Sequence, residues 1–256
     1  MQRRFEQKTV LVTGAGSGIG RASAQRFLAE GAHVHLVGRR APALEETLRT
    51  SAAPDKGRIL VCDVTDVDAV DNAVAHALDD GPIHVLVNNA GLGGPNALSG
   101  PGEDRWRDIL AVNLDGVFFV TRAVVAGMPE GSAIVNVSSV LGKFGVPGYT
   151  AYCTSKHGII GFTRALALEV ASRRITVNAV CPGWTDTEMA RQGMDLLAAA
   201  TGASFEDARR DALSLVPLGR MIEPGEVAGL IAWLASAEAS GMTGQAVNLS
   251  GGSAMW

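Results

Sequence analysis

The sequence predicts an α/β fold in which a mostly parallel sheet is covered by helices on both faces. Short apolar runs rich in β-branched residues alternate with helical patterns along the whole chain, and this alternation is typical of parallel sheets. The 256 residues suffice for one large domain and are few for two. Because no repeat, low-complexity segment or linker divides the chain, we expect a single domain over residues 1–256.

Composition and charge exclude several classes of protein. The net charge is −4 and no basic stripe is present, so we expect no nucleic-acid partner. No apolar run approaches the roughly 20 residues that cross a bilayer, and the first strand begins too early to leave room for a signal peptide. The three cysteines, Cys62, Cys153 and Cys181, and the five histidines fit no metal or disulfide spacing. These features predict a cytoplasmic protein with no membrane partner and no metal.

The first half of the chain contains four predicted strands, at residues 8–13, 34–37, 59–62 and 83–87. Helical patterns follow them at residues 21–30, 42–51, 66–78 and 103–128. Local chemistry sets several boundaries: Gly31 is a good helix stop, Pro42 suits a first helical turn, and Asp66 can cap its helix. Each strand is therefore followed by the helix that a parallel connection requires.

The second half contains three further predicted strands, at residues 134–137, 175–180 and 246–249. Helices are predicted from residue 150 onwards and over 224–235, where Pro224 begins the helix. Residues 184–216 are helix-prone but irregular, so we expect no single regular helix there.

A glycine-rich loop lies between the first strand and the first helix. Its glycines, Gly14, Gly18 and Gly20, allow a tight turn and a close approach of the backbone to a pyrophosphate. The helix N-terminus beyond them attracts negative charge. The spacing differs from the commoner G-x-G-x-x-G pattern, and turns also use glycine, but the position after the first strand of an alternating chain favours a nucleotide site.

Charged and polar residues follow the next three strands. Arg39 and Arg40 can pair with the 2′-phosphate of an adenosine ribose, or can simply be a solvated loop. Asp63 can accept a hydrogen bond from an adenine amino group, or can cap its own turn. After the fourth strand, the segment 88–91 can either tie the strand end to a cofactor or form a plain turn.

The stretch 134–162 joins a buried strand to a helix and carries candidate catalytic groups. The strand ends just before Ser138 and Ser139, and the helix carries Tyr152 and Lys156. Residues four apart share a helix face, so the ammonium should favour the phenolate and lower the tyrosine pKa from about 10. A serine hydroxyl can hold a carbonyl oxygen beside them. The same pair also occurs by chance on ordinary amphipathic helices.

Taken in order, these motifs resemble the short-chain dehydrogenase/reductase family over essentially the whole chain. The resemblance implies a Rossmann-type, doubly wound, seven-stranded sheet, usually in a homotetramer, with a homodimer as the alternative. The segments that match the family are Thr13-Gly14-x-x-x-Gly18-Ile19-Gly20, Asp63, Asn88-Asn89-Ala90-Gly91, Asn113, Ser139, Tyr152-x-x-x-Lys156 and Pro182-Gly183. Within the family, the chain looks most like β-ketoacyl reductases, including those of aromatic polyketide synthesis.

The resemblance also implies roles for the matching residues. Tyr152 would be the general acid in reduction, Lys156 would lower its pKa and bind the nicotinamide ribose, and Ser139 would hold the substrate oxygen. Asn113 would kink its helix and bind a proton-relaying water. The expected cofactor contacts are Gly14, Ser17, Gly18, Ile19, Gly20, Arg39, Arg40, Asp63, Val64, Asn89, Ala90, Gly91, Tyr152, Lys156, Pro182, Gly183, Thr185 and Thr187.

In this family, residues 184–216 cover the substrate pocket, with 189–205 as its mobile part. Trp184 would line the pocket or pack under that cover, while Trp106, Trp233 and His157 are expected to be structural. The helix near residues 103–128 would pair with its copy in a neighbouring subunit.

The predicted function is NADP(H)-dependent interconversion of a ketone and a secondary alcohol. A 3-oxoacyl thioester or a cyclic ketone is the expected substrate. One alternative is an NAD-dependent secondary-alcohol or hydroxyacyl dehydrogenase. Another is a regulatory nucleotide-binding module without catalysis, which would have no need of Asn113, Ser139, Tyr152 and Lys156 together. A nucleotide-sugar epimerase or dehydratase is a third, although such relatives usually carry a larger C-terminal substrate domain.

Overall fold

A computed structural model describes residues 3–96, 98 and 103–256. Its seven strands form one parallel sheet in the order β3-β2-β1-β4-β5-β6-β7. This arrangement confirms the predicted doubly wound fold. The strands are β1 (Thr9–Thr13), β2 (His33–Gly38), β3 (Gly57–Val61), β4 (Val85–Asn88), β5 (Ala133–Val137), β6 (Thr176–Pro182) and β7 (Ala246–Leu249).

The helices connect the strands and cover both faces of the sheet. They are α1 (Gly18–Ala29), α2 (Ala41–Arg49), α3 (Val67–Leu78), α4 (Trp106–Leu110), α5 (Gly116–Val125), α6 (Thr150–Val170), α7 (Glu188–Thr201), α8 (Phe205–Ser214) and α9 (Pro224–Leu234). A short 3₁₀ turn, Val140–Gly142, follows β5. Among the described residues, no helix is both long and apolar enough to cross a membrane.

Two predicted helices differ from the observed ones. The helix expected from residue 103 begins at Trp106, whose N–H donates to the Asp104 carboxylate just before the helix. It is also interrupted by a π turn, Ala111–Asp115, between α4 and α5. The irregular segment 184–216 contains two separate helices, α7 and α8, because Gly202 ends α7 in the left-handed conformation at φ 68°.

Alternate strand residues face two separate hydrophobic cores, as a pleated sheet requires. One core packs Val10, Val87 and Val135 against α1 and α9. The other packs Leu86 and Ile134 on the opposite face against α3, α5 and α6. Because all seven strands are parallel, their carboxyl ends meet at one edge of the sheet, where ligands bind in open α/β folds.

We expect His35 to make folding pH-dependent. Its ring is buried on β2, with Nε2 3.9 Å from an Asp80 carboxylate oxygen and Arg58 beyond it. Burial lowers the pKa of His35 below its usual 6.5. As the pH falls below about 6.5, the unfolded chain therefore binds a proton at His35 that the folded chain does not bind. The contribution to stability is therefore complete above about pH 6.5 and is lost as the pH falls.

Urea unfolding of the parent and of two variants between about pH 7.5 and 5.5 measures this effect. His35→Leu should flatten the loss of unfolding free energy at low pH. His33→Gln changes an exposed histidine on the same strand, whose charge is only a minor cause of the lowered His35 pKa, and should change that loss much less. Equal pH slopes for His35→Leu and the parent would contradict the assignment.

Candidate active site

The glycine loop after β1 is shaped by close backbone contacts. Gly14 and Gly18 have φ angles of 65° and 50°, a region that L side chains rarely adopt. A Cβ on Gly20 would lie 2.2 Å from the Gly14 carbonyl oxygen and 2.4 Å from Asn89 Nδ2. Side chains are therefore excluded at Gly14 and Gly20, and α1 begins within the same segment, at Gly18.

The turn after β4 is tied to the end of β1. The backbone N–H groups of Asn89 and Ala90 both donate to Thr13 Oγ1 at 3.0 Å. Asn89 Nδ2 donates to the Thr13 carbonyl at 2.9 Å and to the Gly14 carbonyl at 3.3 Å. The Asn89 amide thus links the strand ends to the glycine loop itself, whereas the sequence suggested a link to a cofactor or a plain turn.

Arg39 and Asp63 lie together at the ends of β2 and β3. Arg39 Nη1 is 3.6 Å from Asp63 Oδ2, and both side chains are more than a third exposed. Asp63 Oδ1 also accepts hydrogen bonds from the backbone and hydroxyl of Thr65, so Asp63 does cap its turn. Burial opposes ionisation of Asp63, but the Thr65 hydrogen bonds and the Arg39 charge outweigh it, and the pKa of Asp63 is lowered. Arg40 is exposed at the N-cap of α2.

Ser139, Tyr152 and Lys156 come together where β5 ends and α6 begins. Ser139 Oγ accepts a hydrogen bond from the Leu141 N–H at 3.1 Å, which leaves its own proton available to another oxygen. Lys156 is buried, lies 5.6 Å from the centre of the Tyr152 ring, and donates from Nζ to the Val137 carbonyl at 2.9 Å. The structure therefore places two hydroxyls and an ammonium in one group.

The pKa values of this group differ from the expectation for Tyr152. Burial raises the pKa of Tyr152 to about 12, although a hydrogen bond involving Ser139 opposes the rise. Burial lowers the pKa of Lys156 to about 8. The expected lowering of the tyrosine pKa is therefore wrong. Desolvation of the phenol dominates, and the ammonium is directed at Val137.

Asn113 lies in the π turn between α4 and α5, where helix bends commonly occur. Its Oδ1 accepts from the Leu92 N–H at 2.7 Å, and its Nδ2 donates to the Leu92 carbonyl at 2.9 Å and to Ser155 Oγ at 3.1 Å. A Cβ on Gly91 would lie 3.3 Å from Asn113 Oδ1 and 3.7 Å from Lys156 Nζ. The Asn113 side chain thus holds the loop after β4 against α6, a role that the sequence did not indicate.

The segment after β6 lies against the glycine loop. A Cβ on Gly183 would lie 3.0 Å from the Ser250 backbone, and a Cβ on Gly18 would lie 3.0 Å from Thr187 Cγ2. Thr187 caps α7 through the Ala190 N–H. Thr185 is buried and donates its hydroxyl to the Gly183 carbonyl at 3.1 Å. Pro182 is the last residue of β6, so this segment leaves the same edge of the sheet as the segment that carries Ser139.

Helices α7 and α8 form the wall beyond that segment. Trp184 packs with Met194, Leu213 and neighbouring residues in a small separate core. Its six-membered ring lies 3.7 Å from the position of a Cβ on Gly193. Of the two positions predicted for Trp184, the structure shows packing, against residues of α7 and α8. Met189 also reaches the loop after β4, since a Cβ on Gly93 would lie 2.9 Å from its sulfur atom.

The remaining residues predicted to contact the cofactor lie either in the glycine loop or in the hydrophobic cores. Ser17 is exposed at the N-cap of α1, where a hydroxyl can meet an anion. Ile19 and Ala90 are half-buried and pack on the two cores. Val64 is buried, and a Cβ on Gly116 would lie 2.7 Å from its Cγ2. Its side chain therefore packs against the start of α5.

Two structural residues of the site were missed. Asn96 is buried, accepts from the Arg105 N–H and donates from its own N–H to the Gly148 carbonyl. Asn136 is buried in the middle of the apolar strand β5. The asparagine inside the run Ile134-Val135-Asn136-Val137 was a usable signal, because a buried polar side chain requires partners.

Comparisons with known proteins find similar chains over nearly the whole sequence. A family model described as enoyl-(acyl carrier protein) reductase matches residues 14–254. The chain is 41% identical over 255 residues to a putative ketoacyl reductase of Streptomyces coelicolor, covering 96% of this chain and 97% of that protein. It is 42% identical over 253 residues to the 3-oxoacyl-(acyl-carrier-protein) reductase of Thermotoga maritima, covering 97% and 98%.

Solved structures show the same likeness. A variant of the actinorhodin polyketide ketoreductase, crystallised with NADPH, matches with a TM-score of 0.93 and 38% identity over all of both chains. The aldohexose dehydrogenase of Thermoplasma acidophilum matches with a TM-score of 0.85 and 36% identity, over 98% of this chain and 94% of that one.

Proposed function

The chain belongs to the short-chain dehydrogenase/reductase family, and on that premise we propose that it is an NADP(H)-dependent reductase of ketones to secondary alcohols. One observation carries the proposal: Ser139, Tyr152 and Lys156 gather at the carboxyl edge of the sheet, beside the glycine loop. A regulatory nucleotide-binding module would have no use for this group. The chain is an oxidoreductase by family.

The residues at this edge fit a dinucleotide. The glycine loop excludes side chains at Gly14 and Gly20, so that a pyrophosphate can approach the backbone and the N-terminus of α1. Ser17 is exposed there. Arg39 and Arg40 are exposed at the end of β2, where the adenosine ribose lies in this class of fold. Lys156 and Asn113 border the opposite part of the site, where the nicotinamide would lie.

The protein groups supply a proton and hold the reacting oxygen. When bound, the reduced nicotinamide would supply a hydride to the carbonyl carbon. Tyr152 keeps its proton at neutral pH, because burial raises its pKa to about 12, and can donate it to the oxygen that becomes the alcohol. Ser139 can donate its free proton to the same oxygen and orient the carbonyl. Lys156, buried beside the phenol, stabilises the negative charge that develops on Tyr152.

The proposed substrate is a 3-oxoacyl thioester or a cyclic ketone. Relatives that match this chain over nearly its whole length are named ketoacyl and 3-oxoacyl-(acyl-carrier-protein) reductases. Residues 184–216 would cover the substrate, since Met189 already contacts the loop after β4. A second candidate is oxidation of a secondary alcohol with NAD, and the presence of a dehydrogenase, that of aldohexoses, among the structural matches supports the direction of that reaction.

A turnover screen distinguishes these candidates. Acetoacetyl thioesters, cyclic ketones and the corresponding alcohols are offered with NADPH, NADH, NADP and NAD, and absorbance of the reduced nicotinamide is followed. The proposal expects NADPH consumption with ketones. Turnover confined to alcohols with NAD would favour the second candidate, and nucleotide binding without turnover would favour a regulatory module.

Arg39 should determine the choice of nucleotide. Its ion pair with Asp63 is exposed and worth about 0–1 kcal/mol, whereas a bidentate contact with a phosphate is worth roughly 1.5–3 kcal/mol. The phosphate contact should therefore replace the ion pair. It corresponds to a preference for NADPH over NADH on the order of 10- to 100-fold in kcat/KM.

Arg39→Ala should remove most of that preference in measured kcat/KM. Arg40→Ala is the matched control, because Arg40 lies next in the same loop and is also exposed. Its effect should be smaller. A parent that prefers NADH, or an Arg39→Ala variant with the parent's preference, would identify both arginines as a solvated loop.

We also propose that the chain assembles as a homotetramer, or as a homodimer. Large apolar side chains are exposed on two of the helices that cover one face of the sheet, with Phe118 on α5 and Leu168 on α6 exposed by 47% and 81%. Contiguous exposed apolar surface is typical of interfaces between proteins. The mass of the protein in solution, from light scattering, tests this. A cytoplasmic location also stays a prediction, and the three buried thiols are compatible with it.

A further inference from the structure

A chain of buried hydrogen bonds crosses the protein directly beneath the catalytic group. Asn88 Nδ2 donates to Thr121 Oγ1 and to Asn136 Oδ1, each at 2.9 Å. Asn136 Nδ2 donates to Thr163 Oγ1 at 2.9 Å. Each of these four residues is at most 2% exposed. We call them the asparagine network.

The network joins four elements that carry or adjoin the proposed catalytic residues. Thr121 lies on α5, which continues the bent helix that contains Asn113. Asn88 ends β4, just before the turn that holds the glycine loop. Asn136 lies on β5, three residues before Ser139. Thr163 lies on α6, two turns after Lys156.

Strand pairing explains why the two asparagines meet. Asn88 and Asn136 are register partners in the parallel pair of β4 and β5, so their side chains leave the same face of the sheet. That face is covered by α5 and α6. Apolar residues on this face could slide past one another with little change in energy. A hydrogen-bonded amide in the dry interior instead fixes one relative position, because a displaced partner would stay unpaired.

Thr163 is the link to the catalytic helix. Its hydroxyl accepts from Asn136 and donates to the Ile159 carbonyl one turn earlier, at 2.8 Å. Both capacities of the hydroxyl are therefore in use inside the core. The hydrogen bond from Asn136 therefore fixes the position of α6 along β5, and with it the positions of Tyr152 and Lys156.

We infer that Asn136 is a positioning residue, which holds α6 so that Tyr152 and Lys156 meet the oxygen bound by Ser139. The inference rests on the proposed function. Asn136 itself does not touch the reacting atoms. It acts by setting the distance between the end of β5 and the start of α6. Misplacement of a reacting group by about 1 Å can lower the rate on the order of 100-fold.

The experiment compares Asn136→Ala with Asn178→Ala. Asn178 is a fully buried asparagine on the neighbouring strand β6. Within the described part of the chain, its side chain bonds only the segment before β7, through the Met242 carbonyl and the Gln245 N–H. Both variants lose buried hydrogen bonds of similar kind. Only Asn136→Ala should lower kcat for acetoacetyl-CoA reduction with NADPH, on the order of 10- to 100-fold.

Two further readouts separate positioning from loss of stability. Rates are measured at a temperature where circular dichroism shows every variant folded, and NADPH affinity is measured by its fluorescence. The hydrogen bonds of the network involve neither Arg39 nor the glycine loop. The Kd for NADPH should therefore stay close to the parent value. The pH–rate profile of Asn136→Ala should shift, because the Tyr152 phenol and the Lys156 ammonium change their separation.

A second pair of variants applies if Asn136→Ala does not fold. Thr163→Val keeps the shape of the buried side chain and removes its hydroxyl, whereas Thr163→Ser keeps the hydroxyl. Thr163→Val should lose turnover, and Thr163→Ser should retain most of it. Equal losses of turnover for Thr163→Val and Thr163→Ser would overturn the inference, as would equal kcat values for Asn136→Ala and Asn178→Ala. The proposed function would still stand in either case, provided that the parent reduces ketones. A parent that reduces no ketone would overturn both.

Discussion

Tyr152→Phe is expected to lower kcat by at least about 100-fold, the lower range for loss of a general acid. The phenol is the proton donor of the proposed site, and its pKa of about 12 keeps it protonated at neutral pH. Phenylalanine fills nearly the same volume, so the surrounding core should stay intact. The Kd for NADPH should change little, because no part of the glycine loop depends on the phenol.

Tyr149→Phe is the matched control for this prediction. Tyr149 lies three residues earlier, with its ring centre 6.4 Å from that of Tyr152, and loses the same oxygen atom in the variant. Its turnover should stay near that of the parent. If Tyr152→Phe keeps near-normal turnover, or if Tyr149→Phe loses as much, the proton comes from another group and the assignment of Tyr152 is wrong.

The parts of the site that the sequence could predict are those with a local cause. Gly14 and Gly20 were predicted because a tight turn beside a helix N-terminus requires residues without Cβ atoms, and the structure shows the contacts that exclude one. Asp66 was predicted to cap its helix and does so through the Ala69 N–H at 3.0 Å. The seven strands were predicted because each is a short apolar run, and their carboxyl ends meet at one edge as parallel pairing requires.

The parts that could not be predicted depend on contacts between distant segments. Asn113 bonds the Leu92 backbone across 21 residues of sequence, and no periodicity reveals such a partner. The ion pair between Arg39 and Asp63 requires knowing that β2 and β3 are neighbours. The rise in the pKa of Tyr152 arises from burial, which spacing along a helix does not measure. Four-residue spacing predicted that Lys156 lies near Tyr152, but not that its ammonium donates to Val137.

Lys156→Met should have the second largest effect, a loss of kcat of about 100-fold or more together with weaker binding of NADPH. The ammonium would serve both the phenol and the nicotinamide ribose, so both measurements should change, unlike those of Tyr152→Phe. Methionine replaces the buried stem of the lysine at similar volume. This double effect distinguishes the two residues even if their losses in kcat are equal.

The pH dependence tests the charge of Lys156 directly. Burial lowers its pKa to about 8, so the ammonium of the free enzyme loses its proton as the pH rises through that value. NADPH affinity of the parent should therefore fall above about pH 8, and this fall should be absent in Lys156→Met. Lys143→Met is the control, because Lys143 bonds the carbonyls of Ala246 and Trp256 away from the phenol and should keep the parent profile. An alkaline limb in Lys156→Met identical to that of the parent would show that another group titrates, and would remove Lys156 from the proposed tuning of Tyr152.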